Sequence, residues 1–184
     1  ITDNGRGIFQ ASLSEINVLN STFSNNTGGG VHFHSEGHGS VYYSTFSGNT
    51  SYHIYVNQVA HTSVLIANNI FHDPKETQHL YVAAQAEADS FIYNNIFSDD
   101  AGCLTGREVL GTDVRLNEKS WASDNVRINP QLTNPSANNL VPRSTSPAID
   151  SAEGLPIIEP APRTPQAGAC GEGNPVVTCC DALG

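Results

Sequence analysis

The chain contains no methionine, a single tryptophan and only eight lysine and arginine residues in 184. Without a methionine it does not begin at its own initiator, so it is expected to be a processed product or a piece of something longer. Eight cations against eighteen carboxylates leave a formal net charge of −10. That balance excludes nucleic acid as a partner, because phosphate recognition needs a clustered basic surface. It also speaks against an anionic membrane surface. No apolar run approaches the roughly 20 residues that a membrane span requires, so membrane insertion is not expected. No secretory-leader pattern opens the chain. G-x-S-x-G, Walker and dinucleotide-binding glycine patterns are also missing.

Cysteine is scarce and poorly spaced for metal. Cys103, Cys170, Cys179 and Cys180 form no C-x-x-C pair, which removes the zinc-ribbon and thioredoxin-type readings. Disulfides in an oxidising compartment are the better expectation, with the pairing open. Adjacent Cys179 and Cys180 are poor partners for each other. Three Asn-x-Ser/Thr sequons, at Asn20, Asn25 and Asn49, are glycosylation candidates in a chain already rich in these residue types.

What the chain does contain is a repeat. "NSTFSNN" (20–26), "YSTFSGN" (43–49), "NNIFHDP" (68–74) and "NNIFSDD" (94–100) are copies of one pattern. Their phenylalanines, Phe23, Phe46, Phe71 and Phe97, stand 23, 25 and 26 residues apart. Ile1 occupies the same slot before them, and "NVRI" (125–128) reads as a weaker fifth copy with Ile128 in it. Five residues before the slot stand Val18, Val41, Ile66 and Ile92; eight or nine after it stand Val31, Ile54 and Leu80, with Phe33, Val56 and Val82 two further on. Period-2 apolar pairs broken by Asn, Gly and Ser predict three short strands per repeat, joined by tight turns. The Asn slot three residues before the Phe position suits a left-handed bend.

One such unit cannot bury its own inward face, so successive units must stack at strand spacing and bury identical columns. The pattern resembles the right-handed parallel β-helix, the pectate-lyase-like family, over residues 1 to about 130. The F-x-x-N element before "GGGV" is also similar to repeats of bacterial polymorphic outer-membrane proteins. The expected fold is therefore all-β, a coil of about five rungs with a Pro-rich C-terminal cap. The rungs would occupy 1–140, with N-terminal rungs missing, and a Cys-containing cap or tail 141–184. The resemblance implies an asparagine ladder, expected at Asn20, Asn68, Asn94 and Asn125 and interrupted by Tyr43. "INPQLTNPSANNLVPRSTSPAID" (128–150) and "RTPQAGAC" (163–170) look like the closing segment of secreted or surface bacterial β-helix proteins. Six of the ten prolines fall between 142 and 165, where they deny backbone donors to another rung.

The stretch "GGGVHFHSEGHGS" (28–40) invites a metal reading, since His32 and His34 share a strand face and Glu36 or His38 follows. An exposed strand leading into a Gly-rich loop explains the same residues without a metal. Asp73 and Asp99, with Asp100 beside the latter, stack in adjacent repeats and are candidates for calcium, though turns carry Asp for local hydrogen bonding as well. No other cofactor is expected. More informative is the column to which His32 belongs: Phe9, His32, Tyr55 and Tyr81 occupy equivalent outward positions. The resemblance implies that this sheet is the one on which related lyases and polygalacturonases hold polysaccharide. Aromatic rings suit sugars, but cross-strand stacking that only stabilises the sheet is the stronger expectation. His53 above His79 reads as a second stack of that kind.

Catalysis would need carboxylate pairs or a base on that face. The strand windows 7–11, 31–35, 54–58 and 80–84 hold no Asp, Glu, Lys or Arg, and Arg6, Glu36 and Glu87 lie only at their margins. The expected function is a non-catalytic extracellular or cell-surface β-helix, adhesive or self-associating through an open helix end. A polysaccharide lyase, glycosidase or carbohydrate-binding module is the alternative.

Overall fold

The computed structural model describes residues 1–11, 14–34, 38–57, 63–72, 78–82, 90–98, 109–110, 122–149 and 151. By its internal contacts the chain divides into Ile1–Glu153 and Gly154–Gly184, and every described residue lies in the first unit. Cys103, Cys170, Cys179, Cys180, Asp73, Asp99, Asp100, Glu36 and Glu87 lie outside the described residues, as does the Pro-rich segment from residue 152 onward.

Each turn of the chain contributes one strand to each of three sheets. The first sheet stacks β1 (Ile8–Gln10), β4 (Val31–Phe33), β7 (Tyr52–Val56), β10 (Gln78–Val82) and β13 (Val109–Leu110). The second stacks β2 (Glu15–Leu19), β5 (His38–Tyr42), β8 (Ser63–Ala67), β11 (Phe91–Tyr93) and β14 (Ala122–Ser123). The third stacks β3 (Thr22–Ser24), β6 (Thr45–Ser47), β9 (Ile70–His72), β12 (Ile96–Phe97) and β15 (Val126–Arg127). Pairing is parallel throughout, except that β13 runs antiparallel to β10.

Register follows the repeat. Phe23, Phe46, Phe71 and Phe97 are successive partners in the third sheet, and Val18, Val41, Ile66 and Ile92 in the second. The four phenylalanines are buried, and their rings stack at 5.0, 5.2 and 4.9 Å with nearly parallel planes. These separations match the strand spacing, so each ring lies flat on the next at no cost in backbone geometry. Val31, Ile54 and Leu80, with Phe33, Val56 and Val82, fill the remaining core.

The fifth copy departs from expectation by one residue. Val126 pairs with Ile96 and Arg127 with Phe97, so the Phe slot holds Arg127 and not Ile128. A one-residue slip in a strand exchanges its faces, and both β15 residues are exposed.

Beyond β15 the chain leaves the stack. β16 (Leu132–Asn134) and β17 (Asn139–Pro142) form an antiparallel hairpin around a single 3-10 turn, Pro135–Ala137, closed by Asn138 at φ 57°. Side-chain amides of the coil bond to this region. Asn25 Nδ2 donates to Asn138 Oδ1 at 3.0 Å, and Asn94 Nδ2 donates to the Ser151 carbonyl at 3.0 Å.

Candidate functional site: an outer aromatic column and two buried amide ladders

Alternation along the first sheet turns Ile54 and Val56 inward and Tyr55 outward. The same rule, carried by the register Phe9↔His32↔Tyr55↔Tyr81, lines up four rings on the outer face. Phe9 and His32 meet edge to face at 4.9 Å, His32 and Tyr55 at 4.3 Å, and Tyr55 stacks on Tyr81 at 4.8 Å. Tyr52 joins from the same strand, 5.1 Å from Tyr55 and 5.5 Å from Tyr81. His34 lies 5.6 Å from Phe9 and 5.8 Å from His32, and the Arg6 guanidinium stands 4.8 Å from the Phe9 ring centre.

The electrostatics of this face follow from its packing. His32 is half-buried, its Nε2 has no hydrogen-bond partner, and burial, with Arg6 and His34 adding to it, lowers its pKa to about 4. It is therefore a neutral ring at pH 7. Burial, followed by the neighbouring phenols, pushes Tyr52 and Tyr55 up. Arg6 carries the fixed positive charge.

The three histidines of "GGGVHFHSEGHGS" are not brought together. His38 stands on β5 in the second sheet, where its Nδ1 meets Ser63 Oγ at 2.8 Å. Among the described residues no group of three or more His, Cys, Asp or Glu side chains is placed to hold a metal ion. His53 and His79, expected as a second stack, do lie one above the other, 5.2 Å apart, but inside the coil: they are 0 % and 1 % exposed, against Phe71.

The asparagines divide into two columns of different character. Asn20, Tyr43, Asn68, Asn94 and Asp124 all have positive φ, between 46° and 56°. They make the bend between the second and third sheets, and their side chains lean outward; Asn94 Nδ2 reaches Asn68 Oδ1 at 2.6 Å. The ladder is the next residue along: Ser44, Asn69 and Asn95, all buried, and half-buried Asn125. Ser44 N donates to Asn69 Oδ1 at 2.9 Å, Asn69 N to Asn95 Oδ1 at 3.0 Å, and Asn95 N to Asn125 Oδ1 at 3.1 Å. Asn125 thus belongs to this column and not to that of Asn94. The reason is steric: the left-handed residue turns its side chain away, and only its successor can reach the backbone of the next rung.

A second ladder, not anticipated from the sequence, follows the third sheet. Asn4 N donates to Asn26 Oδ1 and Asn26 N to Asn49 Oδ1, both at 3.1 Å. Asn49 is fully buried with its amide engaged, so this sequon is closed in the folded chain. Asn25 is tied to Asn138, whereas Asn20 is exposed.

Stacked parallel strands, inward columns of like residues and amide-lined turns define the chain as a β-solenoid. Residues 1–117 match the family model described as right handed beta helix region, and the chain belongs to that family. No curated protein and no solved structure matches it.

Proposed function

We propose that this chain is a non-catalytic structural β-helix, displayed outside the cell or on its surface and serving adhesion or assembly. The observation that carries this reading is the use made of the outer rings. Tyr55 lies in register between His32 and Tyr81, at 4.3 and 4.8 Å, so its ring braces the rungs on either side. Such pairs contribute about 0.5–1.5 kcal/mol each beyond burial, which suits a load-carrying rod. Sedimentation across a wide concentration range tests the assembly branch: growth of larger species supports it, and a strictly monomeric chain removes it, leaving adhesion.

A second reading has its own observation. Phe9 is 42 % exposed beside Arg6, and the half-buried tyrosines line the same face, a combination that suits an extracellular polysaccharide. Incubation with acidic and neutral polysaccharides, with calcium present, separates a lyase or glycosidase from a binder. New unsaturated or reducing ends mean chemistry. Binding without them, lost in a Tyr55→Ala/Tyr81→Ala double variant, means a binding module.

A further inference from the structure

The residues just before the inward positions of the first sheet form a column of their own: Gly7, Gly30, His53 and His79. The first two must be glycine. A Cβ on Gly30 would stand 2.5 Å from the His53 carbonyl oxygen and 2.9 Å from Phe46 Cδ1. At the third level an imidazole enters the core, with its ring centre 6.0 Å from Phe46, 6.1 Å from Phe71 and 5.2 Å from His79.

This ring is joined to the second amide ladder, and the ladder fixes where its proton sits. Asn26 presents a backbone N–H and its Nδ2 to Asn49 Oδ1, at 3.1 and 2.8 Å. A backbone N–H can only donate, so Asn49 must turn its oxygen toward Asn26 and its NH2 away. That NH2 donates to the Phe23 carbonyl at 3.1 Å and meets His53 Nδ1 at 3.0 Å. Nδ1 is therefore the accepting nitrogen, and the proton of the neutral ring is on Nε2. The sequence places Pro74, not Asn, three residues after Phe71.

We infer that the Asn49–His53 pair is an acid-sensitive latch between the amide ladder and the aromatic core. Proton uptake at Nδ1 converts the acceptor into a donor and sets two N–H groups against each other inside the coil. Among the described residues, the groups packed on His53 are Phe46 of β6, Phe71 and His72 of β9, and His79 of β10. His72 itself meets Ser47 Oγ through Nδ1 at 3.1 Å. None of these is a carboxylate that would hold an imidazolium. Burial lowers the His53 pKa to about 3, against a smaller opposing effect of the His72 backbone, while the charge of His72 lowers it further.

The direction of the pH effect follows. An unfolded histidine protonates near pH 6.5, and the folded one resists until about 3. Between those values the unfolded chain binds the extra proton, so stability falls as pH falls and is unaffected by this group above 6.5. One proton of difference makes the unfolding constant rise about tenfold per pH unit inside that window.

Two measurements on the full chain test the latch. Long-range nitrogen–proton correlation spectra of the wild type should show His53 as the Nε2–H tautomer; an Nδ1–H tautomer overturns the inference. Chemical denaturation between pH 6 and 4 should show the unfolding constant rising about tenfold more per pH unit in wild type than in His53→Phe, with carboxylate effects cancelling in the comparison. Equal slopes overturn it. Should His53→Phe fail to fold, His53→Gln, which keeps an acceptor but does not titrate, carries the same comparison. Asn49→Asp should reverse the trend, since a carboxylate in that position holds the imidazolium.

Discussion

Replacing Asn95 by alanine removes the middle member of the buried ladder, and its partners set the size of the effect. Asn95 Oδ1 accepts from Asn69 N at 3.0 Å and from Asn69 Nδ2 at 3.1 Å. The two hydrogens on its Nδ2 are shared among the Ile66 carbonyl at 2.9 Å, the Tyr93 carbonyl at 3.0 Å and Asn125 Oδ1 at 2.9 Å. Asn95 and Asn69 are 0 % and 1 % exposed, so water does not replace what alanine removes. Each buried polar group stranded in this way costs about 1–3 kcal/mol. Two such groups, the Asn69 backbone N–H and side-chain amide, span about 2–6 kcal/mol, and because that amide keeps its bond to the Val41 carbonyl the loss falls in the lower half, near 3 kcal/mol. At about 2–4 °C per kcal/mol for a chain of this size, Tm falls by about 6–12 °C. The control is Asn94→Ala, one residue away, which loses outer contacts and a residue tolerant of positive φ for roughly 1 kcal/mol. Thermal unfolding followed by circular dichroism gives the comparison, and exchange of the Asn69 amide locates it. If Asn95→Ala costs no more than Asn94→Ala, or leaves Asn69 exchange unchanged, the ladder is not what holds these turns together.

Phe46→Ala opens a hole between Phe23 and Phe71 and should cost about 3–5 kcal/mol in denaturant titrations, more than truncation of any outer ring. Tyr43 sits at φ 49°, where a bulky residue is strained, so Tyr43→Asn should raise stability by about 0.5–1 kcal/mol; a loss would mean that the tyrosine ring is doing the stabilising. Gly30→Ala drives a methyl into the His53 carbonyl and Phe46 and should cost at least about 1–3 kcal/mol. His32 should titrate in NMR with a pKa near 4, and in Tyr55→Ala that value should move up toward 6.5 as water reaches the ring; an unmoved value would show that burial is not its cause.

The inward columns were legible because period-2 burial repeats with the coil: Phe23 to Phe97 are spaced by the rung itself. The outer column Phe9, His32, Tyr55 and Tyr81 was readable for the same reason, since alternation fixes both faces together. The ladder was displaced by one position because a run of Asn hides which member bends the chain and which bonds. The clue was the doublet. In Asn25–Asn26, Asn68–Asn69 and Asn94–Asn95 the first residue takes positive φ and the second is buried; Gly48–Asn49 repeats this with glycine first, and in Asp124–Asn125 the second residue is half-buried. Read that way, Asp124 and not Asn125 aligns with Asn94, and the register of β15 corrects itself. The burial of His53 was not legible, because Gly30 above it gives no hint that the core has room for a ring one rung later.

The hairpin beyond β15 has a mechanical consequence. In a stack where each rung touches only its neighbours, unfolding can begin at one end and peel inward rung by rung. The bonds from Asn138 to Asn25 and from Ser151 to Asn94 tie two distant levels of the coil to a single connected stretch. Fraying at the Asn25 level then strains the attachment near Asn94, so loss of one rung is felt several rungs away. A strut along the side makes the rod yield as a unit under tension or heat, where a bare spring would unwind from its tip.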